Sequence, residues 1–407
     1  MVASVVRKSE KRNRAGPWSS RTARSSRAIA APLRDVLPAC AAGQRRYAHC
    51  VEPSRDAVIA ALSKVIDPEL QKPVTELDMV RGVEIADGIV SLTIVLTVAG
   101  CPLRDSFERQ VEAALAEVPG VRGFSLAFAV MTPEERQALT TKLRGGSPER
   151  DSTIKLPRDC RVIAVASGKG GVGKSSLTAN LAVAFSQLGR RTGVIDADIY
   201  GHSIPHILGI HQKPVVVDKM IVPPVKGDLK LMSIGFFQEE NTPLMWRGPM
   251  LHRAFEQFLS DVHWGELDVL VIDMPPGTGD VSISLAQLLP RAEVVVVTTP
   301  QKLAQDVASR AGKMARSTNL RIVGVIENMS GAVFGSGGGE ALASEFGVPL
   351  LGRVPLDPLL REQGDLGEPL VAAHPDSETA QIIVSIAETI DARREPGSII
   401  KSLPLVG

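Results

Sequence analysis

"SGKGGVGKSS", Ser167–Ser176, follows the apolar run "VIAVA" and carries four glycines and two lysines in ten positions. Gly168, Gly173, Lys174 and Ser175 stand at the fixed positions of the phosphate-binding pattern G-x-x-x-x-G-K-[ST]. Glycine tolerates positive φ and carries no Cβ, so backbone N–H groups can approach phosphate oxygens closely. A helix opening near Ser175 would add the positive end of its dipole. Gly168, Lys169, Gly170, Gly171, Val172, Gly173, Lys174, Ser175 and Ser176 therefore form the expected nucleotide cradle. Lys174 is expected to reach the β- and γ-phosphates of ATP, and the Ser175 hydroxyl to ligate Mg²⁺. The pattern leaves Lys169 unexplained.

Downstream of the loop, apolar strands alternate with helices, which implies an α/β fold with a mostly parallel, doubly wound sheet. Strands are expected at "VIAVAS", "TGVIDAD", "LKLMSIG", "DVLVIDM", "EVVVVTT", "IVGVIEN" and "PLLGRV", and helices at "SSLTANLAVAFSQLG", "LHRAFEQFLSDV", "VSISLAQLL" and "DSETAQIIVSIAETIDARR". Near-continuous apolar runs suit strands buried on both faces. The nucleotide is expected at the carboxyl ends of these strands.

Two acidic segments end strands in this region. Asp273 closes "LDVLVID" and is placed to hold Mg²⁺ directly or through water, with the Pro- and Gly-rich "DMPPGTGD" behind it as a switch loop. Asp196 and Asp198 lie in "VIDADIYGHS", and Asp198 is the candidate for orienting the attacking water. The alternative for Asp198 is a helix or turn cap. His202, His206 and His211 lie close together but lack a defined third ligand for zinc.

Upstream, residues 53–146 read as a small α+β domain, joined by a polar linker at 147–160 to an NTPase domain at 161–394, with a tail at 395–407. Ala86-Asp87-Gly88 is a hairpin signal within the small domain. Residues 1–52 read as a disordered basic tail. The first 50 residues hold eleven Lys/Arg and two acidic residues, leaving a body with an excess of acidic side chains and no nucleic-acid footprint. An over-extended start, an organelle transit peptide or a basic interaction arm each account for that composition, the first being favoured.

No apolar run is long enough to span a bilayer. The C-terminal "REPGSIIKSLPLVG" is interrupted by Pro and Gly and forms no amphipathic helix, so no membrane partner is expected. The four cysteines, Cys40, Cys50, Cys101 and Cys160, form no C-x-x-C pair and no disulfide framework, which suits a reducing cytoplasmic compartment.

"GKGGVGKSS", "DADIYGHSIP", "PLMWRGPM", "DMPPGTGD", "ENMSG" and "GRVPLDP", in this order, resemble the Mrp/ApbC family of iron-sulfur cluster carrier ATPases. That family is a branch of the group containing MinD, ParA and the nitrogenase iron protein. "DPEL" (Asp67–Leu70) and "TVAGCP" (Thr97–Pro102) resemble the small iron-sulfur assembly domain often fused to it. The resemblance implies an ATP-hydrolysing homodimer that passes clusters to apo iron-sulfur proteins and works with cluster assembly proteins. It implies that Lys169 reaches the phosphates held by the other subunit, so that Lys169, Lys174 and Asp198 are the catalytic residues. It also implies that Asn328 hydrogen-bonds the adenine edge. Many family members carry a C-x-x-C pair after the Asn-Met-Ser segment, where this chain reads "ENMSGAVFGSGGGE". Cys101 is then the candidate iron-sulfur ligand, just before a helix whose dipole favours a thiolate, with Cys160 as a remoter one. A partner-recruiting switch ATPase without a cluster is the alternative.

Overall fold

The computed structural model describes residues 31–32, 52–97, 104–143, 154, 156–157, 159–199, 201–218, 220–237, 248–277 and 279–393. Cys101 and most of the linker lie outside the described residues. Among the described residues, the larger compact unit takes 154–214 and 221–393, and the smaller takes 31–143 and 215–220.

The smaller unit is built from α1 (Arg55–Leu62), β1 (Val80–Ala86), β2 (Ile89–Leu96), α2 (Arg104–Ala116), β3 (Gly123–Val130) and α3 (Pro133–Leu143). β1 and β2 form the expected hairpin, with Asp87 at φ 49° and Gly88 at φ 76°, the left-handed pair that a tight two-residue turn requires. β3 then pairs parallel to β2. Phe107, Val111 and Leu115 line one face of α2 at helical spacing and are buried with Leu92 and Ile94. α3 is an addition to the elements legible in the sequence. In the "DPEL" turn, Asp67 Oδ1 accepts from the backbone N–H of Glu69 (2.8 Å) and of Leu70 (2.9 Å). Burial pushes the Asp67 carboxyl up, and burial together with the Asp67 charge pushes Glu69 up to about 7.

The larger unit contains β4 (Arg161–Ser167), α4 (Lys174–Gln187), β5 (Thr192–Asp196), α5 (Ile204–Ile207), β6 (Val225–Lys226), β7 (Leu229–Ser233), α6 (Gly248–Ser260), β8 (Val269–Asp273) and α7 (Asp280–Leu288). It continues with β9 (Glu293–Thr298), α8 (Lys302–Ser317), β10 (Arg321–Ser330), α9 (Gly338–Phe346), β11 (Leu350–Pro355), α10 (Pro358–Leu366), α11 (Leu370–Ala373) and α12 (Glu378–Ala392). The sheet order is β6-β7-β5-β8-β4-β9-β10-β11, parallel throughout except for β6. The seven strands expected from apolar runs all form, and the eighth, β6, is a two-residue antiparallel edge that carries too little apolar sequence to stand out. The helices α5, α8, α9, α10 and α11 likewise add to the four read from the sequence.

β5, β8 and β9 are buried along their whole length, because helices cover both faces of the sheet. At the end of the sheet remote from the phosphate loop, Arg161 opens β4 as a buried cation. Its Nε donates to Glu293 and its Nη1 to the Ile390 carbonyl of α12, while Arg321 reaches Glu293 at 3.3 Å. This network ties the last helix to the two central strands. Among the described residues, no helix is long and apolar enough to cross a membrane.

Candidate nucleotide site

The parallel register brings three strand ends to one place. Asp273 pairs with Asp196 across β8 and β5 and with Val165 across β8 and β4, so the loops after these strands open side by side. Between β4 and α4 the chain turns through Gly171 (φ 77°) and Gly173 (φ 79°), a conformation that favours glycine. Gly173 is the N-cap of α4 and supplies no side chain to its first-turn N–H groups. Those groups face a cleft of about 720 Å³, lined by the phosphate loop, Asp198, Asn328 and α10. That size suits a nucleotide-sized ligand.

The loop also needs glycine for close packing. A Cβ on Gly168 would lie 2.2 Å from the Val307 carbonyl carbon and 2.3 Å from the Ala308 nitrogen, both backbone atoms of α8. Gly168→Ala therefore cannot be absorbed by a side-chain rotation. It is expected to push the loop off α8 and weaken ATP binding at least about tenfold, a loss of ~1.4 kcal/mol, as measured by titration with a fluorescent ATP analogue. An affinity equal to wild type would contradict this packing argument.

Lys174 is 6% exposed, and its Nζ lies 2.7 Å from Asp273 Oδ1 and 4.0 Å from Asp198 Oδ2. Asp273 is fully buried; its Oδ2 accepts from Ser175 Oγ at 2.7 Å and its Oδ1 from Thr178 Oγ1 at 2.8 Å. Thr178 was not apparent as a site residue, although its place four residues after Lys174 puts both on one face of α4. The structure thus brings Lys174, Ser175 and Asp273 together. A hydroxyl and a carboxylate are the hard oxygen donors that suit Mg²⁺, so the residues present fit that ion.

Asp198 is buried, and its Oδ1 accepts from the Gly201 N–H at 3.1 Å, so it does cap a turn while its other oxygen faces Lys174. Asp196, fully buried, ties the same loop to the sheet: it accepts from Asp198 N (3.2 Å), Ser233 Oγ (3.0 Å) and Ile204 N (3.3 Å). Burial, reinforced by the charge of Asp273, raises its carboxyl well above the usual carboxylate range.

Lys169 is half-buried, and among the described residues its ammonium makes no ion pair or hydrogen bond. Asn328 is 2% exposed; its Nδ2 donates to the Val172 carbonyl at 2.8 Å, so the phosphate loop itself takes one amide N–H. Its Oδ1 is buried and has no partner among the described residues. The Nδ2 group keeps a second N–H beyond the one given to Val172, so this amide retains both a donor and an acceptor. His206 lines the cleft, whereas the His202 ring turns toward Gly235 and the Ile199 carbonyl.

A glycine-rich loop between a central parallel strand and its helix, with a buried Lys–Asp–Ser cluster at the helix N-terminus, defines a P-loop nucleoside triphosphatase. Residues 160–391 match the ParA family described as NUBPL iron-transfer P-loop NTPase, and residues 55–125 match the iron-sulfur cluster assembly protein family. The chain belongs to the NUBPL iron-transfer P-loop NTPase family. A curated relative from Mycobacterium leprae, named iron-sulfur cluster carrier protein, is 50% identical over 357 residues, covering 84% of this chain and 93% of that protein. One of the same name from Synechocystis is 40% identical, covering 85% and 99%. Among solved structures, a nucleotide-binding protein from Archaeoglobus fulgidus in complex with ADP is 36% identical, covering 52% of this chain and 87% of that one, with a TM-score of 0.45.

Proposed function

We propose that this protein is an ATP-hydrolysing iron-sulfur cluster carrier that works as a homodimer and delivers clusters to apo-proteins. The observation that carries the ATPase part is the buried contact of Lys174 with Asp273 beside Ser175, at the mouth of a helix whose first N–H groups are free of side-chain caps. The carrier part is supported by the curated relatives' name and by the match of the smaller unit to an assembly family.

In this reading the backbone of Gly170–Gly173 and the helix N-terminus hold the phosphates, and Lys174 leaves Asp273 to follow the charge on the β- and γ-phosphates. Mg²⁺ would be held by Ser175 and, directly or through water, by Asp273, and would supply charge neutralisation to the phosphates. Asp198 positions the attacking water. Asn328 offers its free Oδ1 to a donor on the nucleotide. Lys169 acts across the dimer on the partner's phosphates.

The cluster is cargo, and Cys101 is the thiolate assigned to it, because the segment after Asn328 carries Val333 and Phe334 and no cysteine. Anaerobic reconstitution with iron and sulfide is expected to load the wild-type chain and leave Cys101→Ala at background, read by iron and sulfide content and by the visible absorption spectrum. Equal, background loading of both proteins would replace the carrier reading with that of a switch ATPase that recruits partners.

A further inference from the structure

Two consecutive residues near the end of β10 serve opposite faces of the sheet, as strand alternation demands. Asn328 reaches the phosphate loop: its Nδ2 bonds the Val172 carbonyl, and a Cβ on Gly173 would lie 2.2 Å from that same nitrogen. Glu327 reaches the other way. It is fully buried, and its carboxylate accepts from the N–H groups of Gly337 (3.0 Å) and Gly339 (2.6 Å), capping the first turn of α9.

Between these anchors the chain leaves the strand through Met329, a non-glycine residue at φ 58°. Such a conformation is strained for a residue that carries a Cβ and persists where the surroundings enforce it. Ser330 is held to β11 by its hydroxyl on the Val354 carbonyl (3.1 Å) and by the Leu356 N–H on its own carbonyl (3.0 Å). The next five residues form a closed turn, with Gly331 and Gly335 exchanging N–H···O bonds of 2.9 and 2.7 Å. Its tip presents Val333, 73% exposed, and Phe334, 36% exposed.

We propose that Glu327 is a positioning residue that ties the phosphate loop to this exposed turn, so that nucleotide binding and the presentation of Val333 and Phe334 are energetically coupled. The proposal rests on the nucleotide reading above. β10 is paired on both sides, Glu327 opposite Thr298 of β9 and Arg353 of β11, so the strand end is held by both neighbours. A ligand that engages the buried, unpartnered Oδ1 of Asn328 or displaces the Val172 carbonyl acts on the same backbone that carries Glu327. The cap on Gly337 and Gly339 then passes any change to the base of the turn. Coupling is reciprocal: nucleotide affinity with the cap open is lower than with it closed by the factor with which nucleotide favours the closed cap.

The test measures amide hydrogen exchange of residues 331–339 in the full chain, with and without a non-hydrolysable ATP analogue and Mg²⁺, beside the analogue's Kd. In wild type, the analogue is expected to slow exchange in the turn about fivefold or more. Glu327→Gln keeps the side chain's size but weakens the cap. It should raise exchange without ligand and raise Kd, by at most the factor with which the analogue slows exchange in wild type. Gly335→Val alters only the exposed turn, where φ is 77°, and should raise Kd in the same direction without lowering the melting temperature substantially. Unchanged exchange on a wild-type chain that demonstrably binds the analogue overturns the coupling, as do variants whose turn exchanges as if fully open while Kd stays at the wild-type value. A wild-type chain that fails to bind the analogue at all overturns the nucleotide reading itself, a result distinct from either.

Discussion

Replacing Lys174 with alanine is expected to abolish ATP turnover, to weaken triphosphate binding and to lower the thermal stability of the larger unit. The catalytic loss follows from removing the cation that would stabilise charge on the β- and γ-phosphates. The stability loss follows from geometry: the Lys174 ammonium, 6% exposed, sits 2.7 Å from the fully buried Asp273 and 4.0 Å from Asp198, with buried Asp196 behind them. Deleting one partner of a buried ion pair costs roughly 3–5 kcal/mol, because a charge is left uncompensated. Asp273 keeps the Ser175 and Thr178 hydroxyls, so the lower end of that range is expected. Calorimetry should show a melting temperature lower by several degrees, and nucleotide titration a marked loss of affinity. A variant with wild-type affinity would refute the placement of Lys174 at the phosphates, and one with wild-type melting would refute the buried cluster as a charge-balanced unit.

Lys169→Ala is expected to separate binding from hydrolysis. Lys169 is half-buried on the same loop, yet among the described residues its ammonium contacts no acceptor, so its removal leaves no buried carboxylate unpaired. A cation acting across a dimer on transition-state charge contributes about 10³-fold or more to kcat in comparable phosphoryl transfers. The variant should therefore bind an ATP analogue within about threefold of wild type while kcat falls by about 10³. Mixing it with a Lys174→Ala chain should restore part of the activity, since one hybrid site would then hold both lysines. A variant that hydrolyses ATP normally would show that Lys169 does not act in trans.

Much of the site was legible in the sequence because it is local. Gly168 through Ser176 are contiguous, and the requirement for glycine at positive φ and for a lysine at the helix start is met within nine residues. The parallel sheet was equally legible, since strands buried on both faces must be apolar throughout; "VLVID" and "EVVVVT" could form little else. The weaker elements escaped notice for physical reasons. β6 is an edge of two residues, and α3 mixes charged and small residues with only Leu139 and Thr140 buried, too few to set a helical period.

What the sequence by itself determined is the class of ligand and the loop proposed to meet its phosphates, because that chemistry is written in one loop and one strand end. Only the tertiary structure decided how distant groups divide the remaining work. It gave the Asn328 donor to the Val172 carbonyl, turned Glu327 to the opposite face to cap α9, seated Gly168 against the α8 backbone and made Thr178 a third support for Asp273. These contacts join residues far apart in the chain, and their partners are set by strand register and helix packing, which no local pattern of residues encodes.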